Sequence, residues 1–173
     1  MTNVHVTGER TEATATVDSF LANLPEMLGA MKADRRCLVA VIEFEDGRYV
    51  QFWAASDGLL IGEVVSNLNI DGAVALTEED EAMLRARGWL EPSPGATPNW
   101  RYEAHDVAEL IELVTMTRDA VLHVLLETLD RTISIRTWAM DARHQRTTDD
   151  LLYEGRVYYQ EALLEIEGCI NEV

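Results

Sequence analysis

The side chains able to do chemistry in this 173-residue chain are few and poorly grouped. Its histidines are His5, His105, His123 and His144, and no two have the close helical or strand spacing at which imidazoles share a metal ion. His105 stands beside Asp106 at a helix start. Cys37 and Cys169 belong to no Cys-x-x-Cys motif, so zinc and dithiol redox chemistry have no support. Both read as buried, reduced thiols, with a Cys37–Cys169 disulfide left open because sequence does not give the Cα separation. The acidic pairs Glu78-Glu79 and Asp149-Asp150 stand at helix starts, where carboxylates favour the positive end of the dipole. No nucleophile elbow, phosphate-binding glycine loop, dinucleotide fingerprint or His-Glu-x-x-His run is present. No catalytic residue, metal or cofactor is expected.

What remains is recognition chemistry. Residues 48–55 alternate, placing Tyr49, Gln51 and Trp53 on one face of a strand and Val50, Phe52 and Ala54 on the other. Helices over the first face would make it core. Left open, it would be a groove for an apolar peptide, since Trp and Tyr dominate binding hot spots. Arg118 interrupts an otherwise apolar helical stripe, where a charge is costly unless paired. Either it snorkels or pairs within the domain, or it makes an ion pair across a dimer interface. Trp89 and Trp100 bracket a proline-rich loop and are expected to pack together over the sheet end.

The elements that would hold these groups follow from periodicity. Val17, Phe20, Leu21, Leu24, Leu28 and Met31 form a helical stripe. Pro25 implies either a kink or a turn before a helix starting near Asn23. Cys37–Phe44 reads as a central strand, Asp46-Gly47 as a tight turn, and Arg48–Ala55 as a second strand. Ser56-Asp57-Gly58 turns into a third strand over Leu59–Val65. Thr77 caps a short helix that Gly88 stops. Trp100–Glu103 suggests a short edge strand. Asp106 caps a long helix with Val107, Leu110, Ile111, Val114, Val121, Leu122, Leu125 and Leu129 on its stripe. Thr132–Ala139 is either a strand or irregular. Residues 149–170 form an amphipathic helix with Leu152, Tyr159, Leu163, Ile166 and Ile170 on one side. The fold class is therefore α+β, an antiparallel meander packed against helices with an extra C-terminal helix. Residues 1–14 read as a flexible arm, 15–130 as the domain and 131–173 as an extension.

Charge narrows the partners. The formal net charge is −17, and residues 66–130 hold 13 acids against 4 bases. Phosphate contacts need clustered Lys and Arg, so nucleic acid and anionic membrane surfaces are disfavoured. A polar N-terminus without an apolar core, and no stretch of membrane-spanning length, make the cytoplasm the expected compartment.

The run TEEDEAMLRARGW, followed by EP, PNW and Y and then by a long apolar helix, resembles the actinobacterial type III secretion chaperone-like (TY-Chap) domains. The preceding RYVQFWAASDGLLIGEVVSN shares the resemblance, which covers roughly Val17 to Leu129. It implies a small, acidic, cytoplasmic, usually dimeric protein that holds an extended client segment against helix and sheet surfaces. On that reading Phe20, Leu24, Tyr49, Gln51 and Trp53 are the client-binding candidates and Arg118 a dimer-interface candidate. The competing expectation is an acidic immunity or antitoxin-type protein that caps a basic partner or mimics a nucleic acid. An enzyme with an unrecognised site is a third.

Overall fold

The computed structural model describes residues 11–34, 36–94 and 97–139. Residues 149–170, Cys169, His5, His144 and most of the expected arm lie outside them. Six strands form one antiparallel sheet: β1 (Thr11–Thr16), β2 (Leu38–Glu43), β3 (Tyr49–Ala54), β4 (Leu60–Val64), β5 (Trp100–Ala104) and β6 (Thr132–Ala139). Their order across the sheet is β1-β6-β2-β3-β4-β5. The helices are α1 (Val17–Ala33), α2 (Glu78–Ala86) and α3 (Val107–Asp119). The α+β class and the β2-β3-β4 meander are as the sequence pattern indicated.

One segment differs from that pattern and one open alternative is decided. Thr11–Thr16 is an edge strand where an arm was expected, and Thr132–Ala139, read as either strand or irregular, is a strand in the sheet's interior, between β1 and β2. Thr, Glu and Ala in β1 carry little apolar signal, and its partner lies more than a hundred residues away. β1 runs directly into α1, whose Thr16 cap accepts from the Ser19 N–H. Pro25 sits inside α1 without ending it, because Val17, Phe20, Leu21, Leu24, Leu28 and Met31 are all buried on both sides of the proline.

Turn and cap chemistry set the connections. Gly47 and Gly58 adopt φ +84° and +92° in the two meander turns, a region closed to most side chains. The N-terminal caps of α2 and α3 are reciprocal boxes, Thr77 with Asp80 and Asp106 with Glu109. Trp89 stands edge-to-face on Tyr102, with centroids 6.4 Å apart, and the Arg85 guanidinium lies 5.8 Å over the Trp100 ring. Trp89 and Trp100 are both buried in the same apolar core.

The long helix departs from a single 3.6 phase. It passes into a π-turn over Ala120–Val124, marked by the Leu125 N–H bonding back to the Ala120 carbonyl at 2.8 Å. The extra residue rotates the apolar stripe. Before the π-turn Leu113, Met116 and Thr117 face the core; Val121, Val124 and Leu125 face it around and after the π-turn. Val107 and Ile111, expected inside, are 67% and 63% exposed. Arg118, expected to break an apolar stripe, is exposed on that same outer side.

Candidate functional site

The described helices occupy one side of the sheet. A Cβ built on Gly62 would fall 2.5 Å from Leu113 Cδ1, so α3 rests against the side of β4 that carries Leu60, Gly62 and Val64. Strand pairing carries that side across to Val50, Phe52 and Ala54 and to Leu38, Ala40 and Ile42. α1 packs beside α3, and α2 packs against the π-turn, with Arg87 reaching Asp119 at 2.9 Å.

The opposite side carries two rows of side chains. One is largely apolar, running Trp138, Val39, Trp53 and Ile61 and ending at Glu103. The next runs Glu12, Arg136, Val41, Gln51, Glu63 and Arg101. Tyr49 lies beyond them, level with Glu43. Ile61 joins Ala55, Leu59 and Trp53 in an apolar cluster separate from the main core.

The polar row is tied together at one end. Gln51 Nε2 donates to Glu63 Oε2 at 2.5 Å and Asn99 Nδ2 donates to the same oxygen at 3.0 Å. Tyr49 OH and Asn69 Nδ2 both donate to Asn99 Oδ1, at 3.2 and 2.7 Å. Several buried atoms nonetheless lack a hydrogen-bond partner: Gln51 Oε1, Trp53 Nε1, Arg101 Nε and Arg136 Nε. Arg101 Nη2 lies 3.0 Å from Glu103 Oε1, an ion-pair distance without hydrogen-bond geometry. Arg136 pairs with Glu43. Each unsatisfied buried polar atom costs about 1–3 kcal/mol, so this face carries an unmet demand for partners.

A second polar cluster secures the Asp46 turn to the end of the third helix. Arg48 sits 2.7 Å from Asp46 and 3.3 Å from Glu127. Burial, then the nearby Asp46 charge, pushes the Glu127 carboxyl above its usual range, against the pull of Arg131 and Arg48. Burial also acts to raise Asp46, but its side-chain and backbone hydrogen bonds from Arg48 outweigh that and lower it. This cluster is structural. Among the described residues no group of three or more His, Cys, Asp or Glu could hold a metal ion. Burial pushes the Cys37 thiol up, and Cys37 is free. His105 and His123 are both exposed.

Of the sequence candidates, Tyr49, Gln51 and Trp53 do share one face. Phe20 and Leu24 are buried in the core, on the helix side, so the anticipated joint surface of first helix and strand does not form. The helix packs its whole apolar stripe onto the sheet and leaves none over. The sequence reading missed Val39, Val41, Ile61, Glu63, Arg101, Arg136 and Trp138. For Val39, Val41, Ile61 and Glu63 the alternation within β2 and β4 was the available signal. Trp138 and Arg136 required knowing that β6 lies beside β2.

No helix among the described residues is long and apolar enough to cross a membrane. Searches of curated proteins and of solved structures returned no match. The family described as T3SS (YopN, CesT) and YbjN peptide-binding chaperone 3, TY-Chap3, matches residues 12–139, from the second residue of β1 to the end of β6. With well over half of its length matched, the chain belongs to the TY-Chap3 family of peptide-binding chaperones.

Proposed function

We propose that this protein is a non-catalytic chaperone-like module whose sheet face away from the described helices holds an apolar segment of a client protein. The observation that carries this reading is the Trp138–Val39–Trp53–Ile61 row beside a polar row with unsatisfied donors and acceptors. Apolar client side chains would take the first row. Client backbone groups would meet Gln51 Oε1, Trp53 Nε1 and Arg101 Nε. The family's peptide-binding description supports the same reading.

In this reading the protein works in the cytoplasm as a homodimer, without cofactor, nucleic acid or membrane. Support for the dimer comes from the strip of Val107, Ile111 and Arg118 along the outer side of α3, two apolar residues and a charge left in solvent. Light scattering of wild type and Ile111→Glu tests it: a dimer that becomes a monomer is expected, and a wild-type monomer removes the dimer.

The client reading is tested with a fluorescent set of apolar and amphipathic peptides titrated by polarisation. Trp53→Ala is expected to weaken the best binder about thirtyfold, the size of a Trp hot spot. Ile111→Ala, on the far side, leaves it unchanged. Equal affinity in Trp53→Ala and wild type would sink the proposal.

A further inference from the structure

Asp-Gly is the step at which a backbone nitrogen most readily attacks the side chain before it. Glycine has no Cβ to shield its amide, so that nitrogen can reach the Cγ of the preceding aspartate. The sequence contains three such steps, Asp46-Gly47, Asp57-Gly58 and Asp71-Gly72. The fold places them in two different situations.

In both meander turns the reacting groups are engaged elsewhere. The Gly47 N–H donates to the Phe44 carbonyl at 3.0 Å, while Asp46 Oδ1 and Oδ2 accept from the Arg48 backbone N–H and Nε at 3.0 and 2.8 Å. The Gly58 N–H donates to the Ala55 carbonyl at 3.0 Å, and Asp57 Oδ1 accepts from the Leu59 N–H at 3.1 Å. Each carboxylate is thus turned forward past the glycine and held there. Attack requires it to swing back and the glycine N–H to leave its carbonyl. The paired strands on either side of each turn resist that movement.

Asp71-Gly72 lies between β4 and α2, in a stretch pinned at its ends. The Asn67 side chain holds Leu76 at both backbone groups, accepting from its N–H at 2.7 Å and donating to its carbonyl at 2.8 Å. Ile70 packs against the main core. Between these pins Asp71 and Gly72 are both exposed. Asp71 precedes the single 3-10 turn Gly72–Val74 and makes no side-chain bond to it. Among the described residues neither the Asp71 carboxylate nor the Gly72 N–H has a hydrogen-bond partner. Gly72 holds φ +63°, and no atom lies within 4 Å of where its Cβ would stand, so the peptide has room to turn.

We infer that Asp71-Gly72 is a site of spontaneous isoaspartate formation in the folded protein, and that the fold itself shields the other two Asp-Gly steps. The Gly72 nitrogen bonds to Asp71 Cγ, and the carboxyl hydroxyl leaves with the amide hydrogen as water. Water then adds to the resulting succinimide. Opening at the Asp71 main-chain carbonyl breaks its bond to nitrogen and leaves the peptide running through the side-chain carboxyl. Nothing is oxidised or reduced, and solvent water is the one co-reactant. The product carries one more carbon in the main chain and the same charge. Asp71 to Ala75 can take up that carbon between the Ile70 and Leu76 pins, so the modified chain stays folded.

The test ages the full chain at neutral pH in heavy-oxygen water, once folded and once in concentrated guanidinium chloride. Electron-transfer fragmentation separates isoaspartate from aspartate at each step, and heavy oxygen marks each succinimide that has opened. Dividing the folded rate by the denatured rate at the same step removes the effect of flanking sequence. The ratio should be near one at Asp71. It should be at most about a tenth at Asp46 and Asp57, where two or more hydrogen bonds must break first. A ratio at Asp71 as low as at the other two overturns the proposal, and so does equal reaction at all three steps in the folded chain. Asp71→Glu, whose longer side chain would have to close a six-membered ring, should abolish the product here and leave the other two ratios unchanged. Isoaspartate forming as fast in that variant, at whatever position, overturns the assignment to Asp71. Far-UV circular dichroism of the aged chain should match that of fresh protein; loss of the native spectrum in step with modification overturns the claim that the loop absorbs it.

Discussion

Gly62→Ala tests which side of the sheet the helices occupy, and so which side is left for a ligand. Gly62 lies between Phe52 and Tyr102 in the sheet. Its missing side chain is replaced by Leu113, whose Cδ1, Cδ2 and Cγ would stand 2.5, 3.3 and 3.4 Å from a new Cβ. The first distance is too short for two carbons, so Leu113 must change rotamer or α3 must lift. Leu113 is fully buried, and its methyls have little room to turn. Overpacking of this kind costs about 1–3 kcal/mol. Replacing glycine by alanine returns about 0.4–1 kcal/mol through the unfolded chain. The net loss should be about 1–2 kcal/mol, a fall of about 2–8 °C in Tm for a chain of this size. Urea denaturation followed by far-UV circular dichroism measures it. The decisive comparison is the double-mutant cycle with Leu113→Ala. That substitution alone costs about 2–5 kcal/mol by leaving a cavity. In its background Gly62→Ala should become neutral or stabilising, a coupling of at least about 1 kcal/mol. Additive losses would mean that Leu113 does not press on this side of β4, and the assignment of the free face would fall with it.

Other outcomes follow from the same structure. Thr77→Ala and Asp106→Ala should each lower unfolding free energy by about 1 kcal/mol, because each removes one half of a reciprocal cap. The Tyr102 hydroxyl donates to Glu112 at 2.7 Å; burial first, then that bond and the surrounding acids, push the phenol up to about 12. Ultraviolet titration should show a late-titrating component that Tyr102→Phe removes and Glu112→Gln shifts back toward 10, the ordinary value. Glu127 has a folded pKa above its ordinary 4.5, so its contribution to stability is present below that pH and is lost as pH rises through the folded value. Asp46 is lowered from 3.8, so its contribution is present above that pH and is lost as pH falls through the folded value. Stability curves against pH should lose the acid-side Asp46 slope in Asp46→Asn and the Glu127 slope in Glu127→Gln, and Asp46→Asn should also shrink the Glu127 slope because the Asp46 charge helps raise that carboxyl.

What was legible in sequence was what is decided locally. Gly47, Gly58 and Gly88 mark places where the chain takes positive φ, and only short-range geometry is needed to see them. Thr77 and Asp106 cap because their acceptors sit three residues from the N–H groups they bind. Period-two alternation correctly put Tyr49, Gln51 and Trp53 together. What was not legible depends on distant partners. The pairing of Thr11–Thr16 with Thr132–Thr137 leaves no mark in either segment, since neither is strongly apolar. The phase of the long helix could not be read through the π-turn, so Val107 and Ile111 were placed on the stripe and Leu113 only at its margin, whereas Leu113 and Thr117 hold the core. Phe20 and Leu24 looked available only while the depth of helix packing was unknown.

The composition of the face away from the described helices also argues about its purpose. A sheet covered permanently on both sides normally reads as near-continuous Val, Ile and Leu. β2 fits that description with Leu38, Val39, Ala40, Val41 and Ile42, but its neighbours do not. β3 and β4 place Gln51 and Glu63 side by side within the buried layer, and β5 adds Arg101. If the layer above were a fixed part of the core, apolar residues of similar volume would serve stability as well or better. Polar groups with unmet hydrogen-bonding capacity fit an exchangeable layer, because they discriminate between occupants that can satisfy them and occupants that cannot. The double variant Gln51→Leu/Glu63→Leu separates the two cases, since Gln51→Leu alone would strip a donor from the buried Glu63 carboxylate. On a permanently covered face it should raise stability and change nothing else. On an exchangeable face it should leave stability near the wild-type value or above it while weakening client peptides whose backbone reaches Oε1, and it should do so more than any change made at Ile111.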